Sequence, residues 1–531
     1  MDKISKSCFM VIFFVISMMG KLRKPWPFSL PWELKSLDIA SKLRFDPEAI
    51  KMASTDYGKV TRLVPAGVLY PSSEEDIVEL IRCSYGSSSS PFSIAARGEG
   101  HSVRGQAMVA DGVVINMRAL SNNDGRIHVY GGSGYWYADV GGEQLWIDVL
   151  NATLDHGVAP RSWTDYLYLT VGGTLSNAGI SGQSFLHGPQ ITNVYEMDVV
   201  TGRGETMTCS KHMNSELFYA VLGGFGQFGI ITRARIALDP APTRVKWVRM
   251  IYIDFSAFTS DQEHLITFNE GQAGKKGLDY VEGFLLMSQS PANNWRSSSF
   301  FSHTDYSRIT SLATQHGVLY CLEVAKYYDP FSVDTVDKEL AEMLVKGLSF
   351  IPGLIFTKDV SYVDFLNRVR SGELKLRSKE LWDVPHPWLN LFVPKSRILD
   401  FDAGVFKGIL QQNPDTNGPI LVYPMIRSKW DDRMSAVIPD EDIFYSIGLL
   451  KSSYTNGSTD HHLELEDQNR KILEFCEEAG IMLKQYLPNY RTKGEWMNHF
   501  GPKWEVFKER KDKFDPLAIL SPGQRIFNVH G

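Results

Sequence analysis

Behind a short start that carries two lysines and one acid (Met1–Lys6), the chain is almost wholly apolar from Cys8 to Met19. A charged start and an apolar core of this length have the shape of a secretory signal, and the run is short for a membrane span. No clear small-x-small cleavage site follows it, whereas Lys21, Arg23 and Lys24 do. Residues 1–24 are therefore either a cleaved signal or an uncleaved anchor, and both readings send the bulk of the chain into the secretory pathway. Pro25–Pro31 reads as a linker and Leu34–Ala53 as a helix, which together fill residues 25–62.

From Leu63 onward the apolar period switches repeatedly between 3.6 and 2. Asp76–Ser84 places Ile77, Val78, Leu80 and Ile81 on one helix face, with Ser72 or Ser73 as the cap. Phe92–Ala96, Gly112–Asn116 and Arg126–Tyr130 read as strands, and Glu143–His156 as a helix stopped by Gly157. Asn193–Val200 and Ile230–Leu238 are again strand-like. Pro240 and Pro242 mark a break. Beyond it come longer strands, Val245–Phe255 and Tyr280–Met287, and helices over Asp334–Gly347 and Asp460–Ala479. The last of these has Thr459 or Asp460 as its cap, Ile472, Leu473, Cys476 and Ala479 on one face, and Gly480 as its stop. Lys511–Phe527 reads as turn-rich, and Ser87–Ser90 as a loop tip. There is no internal repeat.

With 43% hydrophobic and 22% charged residues, the 531-residue chain lies in the folded regime and is long enough for two cores. Its net charge of -6, with no basic run, excludes a nucleic-acid partner. Asn151-Ala-Thr and Asn456-Gly-Ser are glycosylation sequons. Cys83, Cys209, Cys321 and Cys476 lie far apart without Cys-x-x-Cys spacing, and read as small buried hydrophobes rather than zinc ligands or required disulfides. His461-His-Leu-Glu464 has ligand-type side chains, but at the start of a polar helix face it reads as solvated, so no metal is expected.

Three glycine-rich stretches carry the candidate chemistry. In Ala95-Ala-Arg-Gly-Glu-Gly-His-Ser-Val-Arg-Gly-Gln106, Gly98 and Gly100 permit backbone N–H groups to converge on an anion such as a diphosphate, with His101 facing the ligand. In the run from Trp163 to Ile180, Gly172 and Gly173 allow close approach beside Thr170, Thr174 and Ser176. Asp165 sits there among Trp163, Tyr166, Leu167 and Tyr168, either as a base or hydrogen-bond acceptor or as a satisfied turn residue. Gly224-x-Gly226-x-x-Gly229 nominally matches a dinucleotide fingerprint, but that motif must open a helix and Ile230–Leu238 is strand-like; it reads as a ligand-approach loop. No Gly-x-Ser-x-Gly surrounds Ser181 or Ser184, so a hydrolase triad has no support.

Together these stretches resemble the vanillyl-alcohol-oxidase type of FAD oxidoreductase, and within it the cytokinin dehydrogenase family. The likeness continues through His386-Pro-Trp-Leu-Asn390, Lys484-Gln-Tyr-Leu-Pro488 and Leu520-Ser-Pro-Gly-Gln-Arg-Ile-Phe527, and so spans residue 45 to the end. It implies an α+β fold in two domains. A PCMH-type FAD-binding domain would be built from two separated segments, 63–241 and 491–531, with a substrate-binding cap containing an antiparallel sheet inserted at 242–490. Gly-x-Gly-His-Ser at 98–102 resembles the family's flavinylation motif, which implies FAD attached covalently to His101. Asp165 resembles the catalytic aspartate, which also touches flavin and substrate. Glu282, in Tyr280-Val-Glu-Gly-Phe284, resembles the glutamate that binds the adenine ring and shares in catalysis. Trp388, Asn390 and Leu487 match substrate-cavity residues. Tyr486, Ser521 and Gln524 match flavin contacts, as do Ala96, Gly98, Glu99, Gly100, Ser102, Gln106, Thr170, Ser176, Ile180 and Ile230. Glu99 departs from expectation, since a neutral or basic residue suits the neighbourhood of a diphosphate.

The implied reaction is FAD-dependent oxidation of N6-isoprenoid adenines such as isopentenyladenine and zeatin, giving adenine and an aldehyde. An ionised Asp165 would accept a hydrogen bond from the substrate side-chain N–H and ease hydride departure from the adjacent carbon. Burial raises the cost of that charge, so donors are needed nearby. The electron acceptor would be a quinone or oxygen. The chain would be a monomer, extracellular in the apoplast or alternatively in the endoplasmic reticulum or vacuole, with membrane contact only through an uncleaved N-terminal segment. Two rivals are a carbohydrate or alkaloid oxidase of the same superfamily and a non-catalytic hormone-binding flavoprotein. Many such oxidases tether flavin a second time through a Cys in the segment that Ser162–Thr170 occupies here without one, and a passive binder has no need of His101.

Overall fold

The computed structural model describes residues 26–527 except 28, 88–90, 123–124, 133, 269–276, 288–299, 346, 413–417 and 454–460. The apolar N-terminal run, Ser88–Ser90, Asn456, Thr459 and Asp460 therefore lie outside the described residues. Among those described, the strands form three sheets.

In the first sheet Gly67–Leu69, Val113–Asn116 and Ile94–Arg97 run parallel, with Leu43–Arg44 antiparallel at the edge. Parallel strands need both faces covered. Leu69, Ile94, Val113 and Ile115 pack under the helix Glu74–Tyr85, while Val68, Ala95 and Val114 pack on Pro47–Ala53. The second sheet is antiparallel, in the order Ile127–Gly132, Tyr135–Gly141, Gly229–Pro240, Val194–Thr201, Thr206–Ser210, with Val158–Pro160 also on Gly229–Pro240.

The third sheet has eight antiparallel strands and begins after the Pro240–Pro242 break. Its central strand Tyr280–Met287 is buried throughout. Alternation still decides which layer each side chain meets: Tyr280, Phe284 and Leu286 join the core shared with the second sheet, while Val281, Leu285 and Met287 face helices such as Phe255–Thr267. The chain then returns to the first sheet. Ile94 N–H donates to Ile519 O at 2.8 Å, and Ser521 N–H donates to Ile94 O at 3.0 Å. This is the two-segment α+β domain with an inserted antiparallel cap that the motifs imply.

Most elements fall where the periodicity places them, including Glu74–Tyr85 with Ser73 and Asp76 forming a capping box. Three differ. Leu34–Ala53 is not one helix: Trp32–Ser36 and Asp38–Lys42 are 3-10 turns, and the helix proper, Pro47–Ala53, starts where Pro47 sets φ and Asp46 caps Ala49 N–H. The helix within Glu143–His156 is confined to Trp146–Leu154. Lys511–Phe514 is helical, the end of Trp504–Phe514, whose lysine- and glutamate-rich outer face masks a buried stripe of Trp504, Phe507, Lys511 and Phe514. Gly224-x-Gly226-x-x-Gly229 leads into the strand Gly229–Pro240, not a helix.

Candidate active site

Beyond Arg97 the outer strand Ile94–Arg97 of the first sheet gives way to a turn that only glycine allows. A Cβ on Gly98 would lie 2.2 Å from Thr170 Oγ1, and Gly100, at φ +66°, would place one 2.2 Å from the Arg97 guanidinium. Asp56 pins this turn from beneath: its carboxylate accepts Gly105 N–H at 2.6 Å, Ser102 Oγ at 2.9 Å and Lys59 N–H at 3.1 Å. Burial pushes the Asp56 carboxyl up, and these donors pull it back.

His101 projects from the turn. Burial holds its imidazole down to about 3, so it is neutral at ordinary pH. Its Nε2 is buried without a hydrogen-bond partner among the described residues. A neutral imidazole with an unsatisfied nitrogen is a competent nucleophile. Glu99 is neutralised in place, with Oε1 2.9 Å from Arg118 Nε, which accounts for an acid tolerated at this turn.

Two further backbone approaches complete a cradle. Gly172 and Gly173 sit in the short helix Val171–Leu175, and a Cβ on Gly172 would lie 3.1 Å from Gly142 O. A Cβ on Gly226, at φ +70°, would lie 2.4 Å from Ser521 Oγ, which donates to Gly226 O at 2.9 Å. The cavity so formed measures about 360 Å³, in the range of ligand sites. Ala96, Gly98, Glu99, Gly100, His101, Ser102, Gln106, Thr170, Ser176, Ile180, Ile230, Tyr486, Ser521 and Gln524 all line it, as do Asp165, Trp388, Asn390 and Leu487. The glycine cradle and the unsatisfied imidazole fit a flavin dinucleotide.

Glu282 is the exception: it is 1% exposed and does not line the cavity. It sits behind Gly182, whose added Cβ would meet Glu282 Cγ at 2.8 Å and the Tyr280 ring at 2.7 Å. It faces the same layer as Tyr280 and pairs in register with Glu323.

Asp165 has the donors its charge needs. Its Oδ1 accepts Arg368 Nη2 at 3.0 Å, Ser181 Oγ at 3.0 Å and Tyr280 OH at 3.5 Å. Arg368 Nε lies 3.9 Å from Glu323 Oε1, and Glu323 is in turn paired with Arg249 at 2.6 Å. Acids and bases thus alternate along Asp165, Arg368, Glu323 and Arg249, which satisfies charges that would otherwise be costly to bury. The sequence gives no local sign of Arg368, Ser181 or Tyr280 as partners of Asp165, because the contacts span 203, 16 and 115 residues. Tyr423 and Ser446 of the cap sheet, also unforeseen, line the cavity. The cap is tied to the glycine turn by Arg104, which donates to Trp388 O at 3.3 Å and pairs with Glu466 at 2.6 Å.

His386 does not line the cavity; Trp382 O and Ser452 Oγ engage both its ring nitrogens, at 2.9 and 2.8 Å. His461, His462 and Glu464 begin the helix His461–Glu478, and no group of three such side chains among the described residues is placed to hold a metal. Cys83, Cys209, Cys321 and Cys476 are all free thiols, the last three buried.

Residues 242–527 match a family model described as "Cytokinin dehydrogenase 1, FAD and cytokinin binding", and residues 65–210 match "FAD binding domain". Cytokinin dehydrogenase 3 of Arabidopsis thaliana is 55% identical to this chain, over 94% of this chain and 92% of its own. Cytokinin dehydrogenase 5 of Oryza sativa subsp. japonica is 54% identical over 92% and 91%. Among solved structures, 6-hydroxy-D-nicotine oxidase from Arthrobacter nicotinovorans superposes with a TM-score of 0.61 at 17% identity, covering 90% of this chain and 95% of that one. Glucooligosaccharide oxidase from Acremonium strictum, described with a 6-S-cysteinyl, 8α-N1-histidyl FAD, gives 0.63 at 15% identity, covering 90% and 96%. These structures share the fold.

Proposed function

The chain belongs to the cytokinin dehydrogenase family, and from that premise we propose that it oxidises N6-isoprenoid adenines, with FAD held covalently by His101 and Asp165 acting on the substrate amine. The observation that carries the assignment of roles is the convergence of a neutral, unsatisfied imidazole and a donor-stabilised carboxylate on one cavity.

When bound, FAD supplies the two-electron oxidant. The chain's own residues do the rest. Gly98, Gly100, Gly172, Gly173 and Gly226 bring backbone close to the dinucleotide, and Arg118 offsets the charge of Glu99 beside it. Asp165, held by the donors Arg368, Ser181 and Tyr280, accepts a hydrogen bond from the substrate side-chain N–H. That raises electron density on nitrogen and favours loss of hydride from the neighbouring carbon. The resulting imine hydrolyses to adenine and an aldehyde. Trp388 and Leu487 provide apolar walls for the isoprenoid chain, and Asn390 a polar group for the adenine edge. Glu282 supports the adenine end from behind Gly182.

A quinone or oxygen accepts the electrons, and the chain works as a monomer. The apolar run Cys8–Met19 directs it to the secretory pathway and the apoplast, and Asn151, exposed on the helix Trp146–Leu154, carries a glycan. The test is depletion of a panel of N6-substituted adenines with oxygen and with a quinone. Turnover of isopentenyladenine with release of adenine is expected; turnover of oligosaccharides instead would favour the oxidase alternative.

A further inference from the structure

We propose that Tyr57 is a positioning residue for flavin attachment: its ring, clamped between His101 and His386, fixes the plane of the His101 imidazole against the cavity. Tyr57 stacks on His101 with ring centroids 4.0 Å apart and planes 16° apart. Its other face stacks on His386 at 4.2 Å and 9°. The three rings form one near-parallel column that runs from the cap to the glycine turn, and of the three only His101 lines the cavity.

The column is built from both ends. Tyr57 N–H donates to Gly100 O at 2.8 Å and Gly58 N–H to Ser102 O at 3.0 Å, so the backbone around Tyr57 brackets His101. A Cβ on Gly58 would lie 2.0 Å from Val103 O, so only glycine allows this approach. On the cap side His386 N–H donates to Gly58 O at 2.8 Å, and its ring is locked through Trp382 O and Ser452 Oγ. His386 cannot turn, Tyr57 lies flat on it, and His101 lies flat on Tyr57.

The orientation matters because rotation about the Cβ–Cγ bond of a histidine is broad, with no strong staggered preference. Without a neighbour of fixed plane, the imidazole nitrogen samples directions away from the ligand. Covalent attachment needs a near-attack arrangement. In that step an imidazole N–H and a C–H of the flavin 8α-methyl group are replaced by one N–C bond. The two hydrogens and two electrons pass through the flavin ring to dioxygen, which leaves as hydrogen peroxide. A desolvated, neutral His101 suits the nucleophile's part, and Tyr57 supplies its aim.

The inference rests on His101 being the attachment residue. Wild type, His101→Ala, Tyr57→Phe and Tyr57→Leu are purified with their flavin, and the fraction that stays with acid-precipitated protein is measured against total flavin and thermal stability. Tyr57→Phe, which keeps the ring, should be linked as the wild type is. Tyr57→Leu should lose linkage about tenfold while still binding flavin non-covalently, as expected for loss of an aromatic stack and its aim. If Tyr57→Leu gives no soluble protein, Tyr57→Met is read in the same way. Wild-type linkage in the leucine or methionine variant overturns the inference and leaves His101 in place. Equal loss in Tyr57→Phe overturns it too, since the hydroxyl and not the ring would then be responsible. Acid-soluble flavin in the wild type removes the attachment itself and this inference with it.

Discussion

Arg368 Nη2 sits 3.0 Å from Asp165 Oδ1, joining the first turn of a cap helix to a loop of the cofactor domain. An aspartate paired with a buried guanidinium is a poor sink for a proton and a good acceptor of a hydrogen bond. Under the proposed function, the pair therefore suits an Asp165 that polarises the substrate amine without first taking its proton.

Replacing Arg368 by Met should leave Asp165 without its guanidinium partner, while Glu323 keeps Arg249. A drop in kcat of about 100-fold or more is expected, with loss of thermal stability, because removing one partner of a buried pair costs about 3–5 kcal/mol. The acid limb of the pH profile should move to higher pH, since the carboxylate becomes harder to ionise. Arg368→Lys should recover part of both. Steady-state kinetics from pH 5 to 9, on samples of equal flavin content, check this; an unmoved acid limb in the Met variant would count against it.

Asp165→Asn should retain bound flavin and lose turnover by about 100- to 10,000-fold, the span of a removed acid–base or polarising group. Flavin absorbance together with kcat decides it. Unchanged turnover removes Asp165 from the mechanism.

In a His101→Ala background, where bound flavin is free to exchange, Arg118→Ala should weaken FAD binding by about three- to tenfold, and added salt should narrow the gap. Glu99 would then face the dinucleotide uncompensated. Adding Glu99→Gln should restore affinity. Equilibrium titration of flavin fluorescence measures both.

Buried neutral histidines predict acid sensitivity. Burial holds His386 down to about 4 and His499 to about 3, against an ordinary 6.5. Below pH 6.5 the unfolded chain binds protons that the native chain refuses, so stability is full above that pH and falls as pH drops toward the lowered values. Each ring contributes a slope of about 1.4 kcal/mol per pH unit within its window. Tm should be level above pH 7 and decline steadily to pH 4.5, and His499→Phe should make the decline shallower. A level Tm across that range would contradict the assignment.

The cofactor cradle was legible in the sequence because it is made of backbone: Gly98, Gly100, Gly172 and Gly226 announce close approach by lacking a side chain, and His101 stands among them. The cap strands beyond Tyr280–Met287 were harder. Ile420–Ile426 and Ile443–Leu449 are buried on both faces and so lack the alternation that marks a half-exposed strand. What could not be read was partnership at a distance. Nothing near Arg368 in the chain tells that its guanidinium ends beside Asp165, and nothing near Tyr57 tells of a histidine on either face. Glu282 shows the opposite limit. The motif singles it out, while the fold sets it one layer behind the cavity wall.

Ser521 and Gln524 stand at the cavity beside Gly226, and Leu520 bridges to Ile94 on the outer strand of the first sheet. The floor of the flavin compartment is thus missing from any nascent polypeptide that has not yet delivered this segment. The flavin compartment closes only once this segment has joined the first sheet, and FAD has to be at hand wherever that step takes place. Cleavage ahead of Ser521 would take Ser521 and Gln524 with it and open the flavin compartment beside Gly226.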